Sequence, residues 1–413
     1  MPVVPDLILR GATLPGRAGR VDLVIENGRL VSVGPAAPSS RGRDEFQLDG
    51  RLALPGLVDV HHHLDKAYAL PDTGVPGDLP SAIASMGDYQ ARVSREEMLR
   101  RGLRLLDQAV SFGVSTLRTH VNVGGAYGLR GLEVALELRQ RGRGRIGVQV
   151  VAMASAGVLP DQTDWGMMEE ATRLGCDALG GSIGVRTDPA PLLDGLFGLA
   201  THRSLPLDLH VDEHVEPRCP GLEQLIPRTT AAGYQGRVIA GHCCGLGVVG
   251  ADERRRLIAG LVQAGIAVAV LPLTNLFLQG RDQEVPGARG IAPVRALLRQ
   301  GALVACASDN VQDPYLPYGN GDPLLAALVL GVAGHLTSAD ERDALVDMVT
   351  VDAAAAAGMA DYGLGPGRPA DLVVLDARPP DHPAASLPAR WLVVHGGRVV
   401  GPGGPAMGDA RPS

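Results

Sequence analysis

Short apolar runs recur through the middle of the chain, separated by longer stretches in which apolar and polar residues alternate with helical spacing. The runs fall at residues 57–60, 113–120, 146–153, 179–185, 206–210, 237–242, 266–272 and 303–308. Each is rich in Val, Ile, Leu or Ala and too short for a buried helix, the pattern of a strand covered on both faces. The stretch Arg95–Ser111 typifies the intervening segments. It carries Met98, Leu99, Leu103, Leu106 and Val110 at helical spacing, and Gly113 follows as a stop. Strands alternating with helices in this way predict a parallel α/β sheet, most simply an eight-stranded barrel.

The two ends read differently. Residues 7–13, 21–34 and 51–55 are strand-like, with Asn27-Gly28 as a hairpin turn. Residues 370–376 and 391–400 repeat the theme, again with a Gly-containing hairpin. Two β-rich ends flanking an α/β middle predict that the termini meet in one small sheet domain. The expected boundaries are 1–54 and 366–413 for the sheet domain and 55–365 for the barrel.

Composition narrows the function classes. At 413 residues and 45% hydrophobic content the chain can bury a large core, and its 55 Gly and 31 Pro are scattered at turns. A net charge of -7 argues against nucleic acid as a partner, and the basic residues 139–145 read as a solvated helix end. Five cysteines without disulfide-like spacing suit a reducing cytoplasm. No signal-peptide pattern opens the chain and no apolar run is long enough to span a membrane, so a cytoplasmic enzyme is expected. The Pro- and Gly-rich tail after Gly401 is expected to be loosely docked.

The ends of the predicted strands carry the chemistry. His61, His62 and His63 close the first, and strand alternation puts His61 and His63 on one face with His62 on the other. His120 ends the second, His210 the fifth, His242 the sixth and Asp309 the eighth. Barrel enzymes place their active sites on this rim. Imidazole and carboxylate ligands without thiolates suit a single divalent metal, Zn or Fe(II). Glu213, three residues past His210, is the natural acid/base partner. His202, His335, His382 and His395 read as structural or surface residues, as does His214 apart from its place beside Glu213.

Two patterns are excluded. Lys66 is the only lysine, so no carbamylated lysine can bridge a pair of metals from a mid-barrel strand. No Pro-Cys-x-x-Cys or His-Glu-x-x-His occurs.

With these residues in view, the chain resembles the amidohydrolase superfamily and, within it, the cytosine deaminase-like branch, with likeness also to N-isopropylammelide amidohydrolases. The resemblance rests on Pro55-Gly-Leu-Val-Asp, His61-x-His-Leu-Asp, Arg118-Thr-His-Val, His210-Val-Asp-Glu213 and His242. Asn275-Leu-Phe-Leu-Gln-Gly-Arg281, Asp309-Asn-Val-Gln-Asp-Pro and the late Gly-Arg-Pro-Ala-Asp-Leu-Val-Val extend it. It implies a (β/α)8 TIM-type barrel carrying a small β-sandwich built from both termini, and one metal held by His61, His63, His210 and Asp309. It further implies that His242 orients water or polarises the substrate, that Asp309 takes a proton from the attacking water, and that Glu213 protonates the ring nitrogen beside the attacked carbon. Gln279 is expected near the pocket mouth, His120 beside the substrate, and a homo-oligomer fits the branch.

Departures from the branch bear on substrate. Where cytosine deaminases carry Pro-Gln-Glu-Gly, this chain has Ala154-Ser155-Ala156-Gly157, a hydroxyl in place of an amide. Asn310 stands where those enzymes have a second Asp. Both argue against cytosine itself. Lys66 recurs in relatives acting on aminotriazines; it either holds an anionic group of the substrate or forms a surface ion pair with Asp65. The leading expectation is a metal-dependent deaminase of an amino-substituted, pyrimidine- or triazine-like heterocycle. The alternatives are a ring-opening cyclic amidohydrolase and a scaffold without activity.

Overall fold

The structure is a computed structural model that describes residues 4–35, 41–185, 188–281 and 287–402; the tail expected to dock loosely lies outside these. Eight parallel strands form one sheet in sequential order: Leu57–His62, Val114–Val123, Gly147–Ala154, Ala178–Ile183, Leu207–Val211, Val238–His242, Ile266–Val270 and Val304–Cys306. A parallel bridge between His62 and Asp309 brings the first strand beside the segment after the last, so the sheet closes almost completely into a barrel. The closure is reinforced where Ser308 donates its backbone N–H (3.2 Å) and its hydroxyl to the buried Asp59 carboxylate.

Every strand predicted from an apolar run is present. The second runs three residues beyond His120, so that histidine sits within the strand. The eighth spans only three residues, because Ala307 to Asn310 turn inward to bring Asp309 to the rim. Pro272, read as the end of the seventh strand, instead opens the helix Pro272–Leu278, a residue suited to the first helical turn. Helix Arg95–Ser111 starts where Ser94 accepts from the Glu97 N–H. Its buried stripe is centred on Met98, Gly102, Leu105, Leu106 and Ala109, with Leu99 and Leu103 half-buried beside it.

The terminal segments make two four-stranded sheets. Leu7–Ala12, Val21–Glu26, Arg29–Gly34 and Asp44–Gln47 form one; Leu52–Pro55, Leu372–Leu375, Arg390–His395 and Arg398–Val399 form the other. Asn27 and Gly28, at φ 49 and 76, make the predicted hairpin turn. The second sheet lies between two cores, and strand alternation sorts its residues. Ala53, Leu372, Val374, Leu392 and Val394 pack on the first sheet, whereas Leu52, Leu54, Val373, Leu375 and Val393 pack on the barrel. Strand Leu52–Pro55 passes through Gly56 directly into the first barrel strand. A Cβ at Gly56 would lie 2.5 Å from the Ser115 Cβ, so only glycine fits this junction.

Candidate active site

The rim residues converge. His61 lies one residue before the end of the first strand, fully buried, and His63 follows that strand at 5% exposure. His210 approaches from the fifth strand, with its Nε2 3.2 Å from His61 Nε2. Asp309 Oδ1 lies 3.4 Å from His63 Nε2 and 3.8 Å from His61 Nε2. These separations match the edge of a coordination shell, since zinc–ligand bonds of about 2.1 Å put tetrahedral neighbours roughly 3.4 Å apart. Both Asp309 oxygens, His61 Nδ1 and His210 Nδ1 are buried without a hydrogen-bond partner.

Electrostatics agrees with the geometry. Burial first, then neighbouring imidazoles or Lys66, holds His61, His63 and His210 far below the usual imidazole range, so all three are neutral lone-pair donors. Burial, and then the nearby Glu213, pushes Asp309 well above the usual carboxylate range. A buried anion with unpaired oxygens among neutral imidazoles is costly unless a cation joins it. The buried His/Asp cluster therefore has the make-up of a divalent-metal site. Within it, the ligand atoms of His61, His120 and His210 lie within 4.8 Å of one another, as do those of His61, His242 and Asp309.

Backbone strain positions several of these groups. Asp212, His242 and Asp309 have φ of 46, 65 and 63. Left-handed conformations are unfavourable for non-glycine residues and persist where tertiary contacts enforce them. At Asp309 the enforcing contact is a 3.0 Å hydrogen bond from its N–H to His61 O. At Asp212 the side chain accepts from the Gly221 and Leu222 N–H groups at 2.8 and 2.9 Å. This turn carries Glu213 into the site.

Glu213 Oε1 lies 3.7 Å from His242 Nδ1, and burial raises the Glu213 carboxyl to about 8. Gln279 donates from Nε2 to Glu213 O at 3.3 Å. His242 is brought down to about 3 by burial, then by His120, while Asn275 Nδ2 sits 2.9 Å from its Nδ1.

The other expected residues are placed as follows. His120 is fully buried and stacks on His61 with ring centroids 3.9 Å apart. Ser155 follows the third strand and receives a 3.5 Å contact from Asn122 Nδ2. Asn310 donates to the buried Asp313 at 2.6 Å. Lys66 is not on the surface: at 2% exposure its Nζ lies 3.5 Å from Asp65 Oδ1 and 3.1 Å from His63 Nδ1. His62 points away from the cluster and accepts from the His63 N–H at 2.7 Å. Sequence reasoning did not single out Asn275, Asp313 or Asp208. Asn275 lay in a quoted motif, and an amide in a mostly apolar helix was the available signal.

Known proteins bear on this site. A model of the family described as "Amidohydrolase family" matches residues 116–401. Pterin deaminase of Rhizobium rhizogenes is 30% identical over 387 residues, 91% of this chain and 87% of that protein. The structure of 5-methylcytosine deaminase from Klebsiella pneumoniae, liganded with 5-fluorocytosine, matches with a TM-score of 0.89 at 28% identity, covering 95% of this chain and 97% of that one. N-isopropylammelide isopropylaminohydrolase from Burkholderia multivorans matches with a TM-score of 0.83 at 30% identity, covering 96% and 98%.

Proposed function

The chain belongs to the amidohydrolase family, and on that footing we propose that it is a metal-dependent aminohydrolase acting on an amino-substituted nitrogen heterocycle. Pyrimidine-, triazine- and pterin-like rings are the substrate class, with ammonia or an alkylamine as the leaving group and cytosine itself disfavoured. The observation that carries the reading is Glu213. It is a buried carboxyl that burial pushes up to about 8, held 3.7 Å from His242 on the loop that follows His210.

His61, His63, His210 and Asp309 would hold one divalent cation, Zn or Fe(II). Bound there, the cation supplies Lewis-acid charge that makes water nucleophilic at neutral pH. Asp309 accepts the proton of the attacking water on its carboxylate oxygen. Glu213, protonated at neutral pH, donates from its carboxyl to the ring nitrogen beside the attacked carbon. His242, held through Nδ1 by Asn275, orients the water and the substrate face. When the C–N bond to the exocyclic amine breaks, the leaving nitrogen takes the proton held by Asp309, and the new hydroxyl gives its proton to the Glu213 carboxylate as it becomes the ring carbonyl. Glu213 adds to the burial that raises Asp309, so Asp309 would stay ionised as the base through the bound cation, while burial keeps Glu213 protonated as the acid.

Ser155 and Asn310 support a substrate other than cytosine. Each has a partner within the chain, so the pocket offers a hydroxyl and a pre-oriented amide. Lys66, tied to Asp65 and His63, is placed to meet an anionic or oxo substituent. The test is ammonia and amine release by metal-loaded protein from a panel of aminopyrimidines, aminotriazines, N-alkyl triazines and pterins, with Glu213→Gln as control. Release abolished by the substitution supports the reading. Ring-opened product without amine would replace it with cyclic-amide hydrolysis.

A further inference from the structure

The mechanism leaves a buried charged pair beneath the cluster unused. Arg118 and His120 are two apart on the second strand, as are Asp208 and His210 on the fifth, so all four side chains share the barrel interior. Arg118 and Asp208 form the lower layer and the two histidines the upper. Arg118 Nη1 donates to Asp208 Oδ2 at 2.8 Å. Its Nε donates to Gln149 Oε1 at 2.8 Å and its Nη2 to Ala357 O at 2.9 Å, so the guanidinium is fixed on three sides. The other Asp208 oxygen, Oδ1, faces upward and lies 3.1 Å from His120 Nε2. Asp208 and His120 are each fully buried. His120 in turn stacks on His61 at 3.9 Å with planes 24° apart, and meets His210 edge-on at 5.3 Å.

Resting on the metal-site reading above, we propose that Asp208, clamped by Arg118, is a positioning residue for the metal centre and acts through His120. A buried carboxylate needs a cationic partner, and Arg118 meets that need through Oδ2. Oδ1 then packs 3.1 Å from His120 Nε2, a close polar contact without the geometry of a directed hydrogen bond, and restricts how that ring can turn. The ring is the floor on which His61 lies, so its orientation sets the direction of His61 Nε2 toward His210. Outer carboxylates that orient histidines tune metal affinity in this way, with losses of about 10–100-fold when removed. Here the carboxylate acts one ring further out, through the imidazole stacked on His61.

The experiment is a Co(II) titration of metal-free protein, read by the visible absorption spectrum and the dissociation constant. The samples are the parent chain, Asp208→Asn, His120→Phe and the double variant. Phenylalanine keeps the stacking surface and leaves no ring nitrogen for Asp208 to orient. The expected result for Asp208→Asn is an affinity loss of about 10–100-fold with an altered spectrum. In the His120→Phe background the same substitution costs about twofold or less, the range of independent sites. Co(II) bound by the parent chain, with equal losses from Asp208→Asn in both backgrounds or with no loss in either, overturns the proposal. If Asp208→Asn does not fold, His120→Phe decides alone. Retention of one Co(II) supports the floor role, and loss of binding makes His120 a ligand and overturns it. A parent chain that takes up no Co(II) overturns the metal-site reading itself, a result distinct from the others.

Discussion

Glu213 is a buried carboxyl beside the His242 imidazole, and burial is what raises it. Its folded pKa of about 8 lies above its ordinary value of 4.5, so between those two values the folded chain keeps a proton that the unfolded chain has lost. The stability this group contributes is complete below about pH 4.5 and is lost as the pH rises toward 8. Two outcomes follow. In the proposed role of proton donor Glu213 would work only while protonated, so kcat is expected to fall as the pH rises through about 8, measured on metal-loaded protein. Glu213→Gln lowers kcat by about 100-fold or more. In metal-free protein the same variant gains Tm relative to its parent as the pH is raised from about 5 to about 8, read by calorimetry at each pH. A Tm difference that does not change with pH would mean that Glu213 is ionised in the folded chain.

Among secondary-structure elements, the barrel seam depends on few contacts, because the eighth strand is so short. The Asp59 carboxyl, raised to about 7 by burial, is held by the Ser308 N–H and hydroxyl across that seam. Ser308→Ala should cost about 1–3 kcal/mol in urea unfolding, the penalty for stripping a partner from a buried polar group. A change within about 0.5 kcal/mol, the range of ordinary surface substitutions, would show that Asp59 is satisfied without it. The strands were legible because buried parallel strands are short, near-continuous apolar runs. The rim histidines were legible because a polar residue that ends such a run stands out. Boundaries were less so: Val121-Asn122-Val123 continues the second strand with a polar residue in the middle, which reads equally well as the start of a loop. Asp208 was hidden for a different reason. Its partner Arg118 is 90 positions away, and only barrel closure brings the two together.

For the whole molecule, the cluster of neutral imidazoles and unpaired Asp309 oxygens ties stability to the cation. Metal present at about 100 times its dissociation constant adds about 2.7 kcal/mol to the folded state. Chelation should lower Tm, and added Zn(II) should restore it; an unchanged Tm would mean that no cation binds. The terminal hairpins and their meeting in one sheet domain were legible, but that the shared sheet packs on both cores was not. That arrangement pairs residues 52–55 with 372–375, a contact set by chain return and not by local pattern. Sequence alone also could not show that Lys66 is buried, because its environment comes from the folded rim. The most direct test of the central claim is amine release by the metal-loaded chain and by Glu213→Gln on the same heterocycle panel. Stoichiometric ammonia or alkylamine from at least one aminoheterocycle, lost on chelation and in the variant, is the predicted result. Equal release by parent and variant, or none from any member with metal bound, would contradict it.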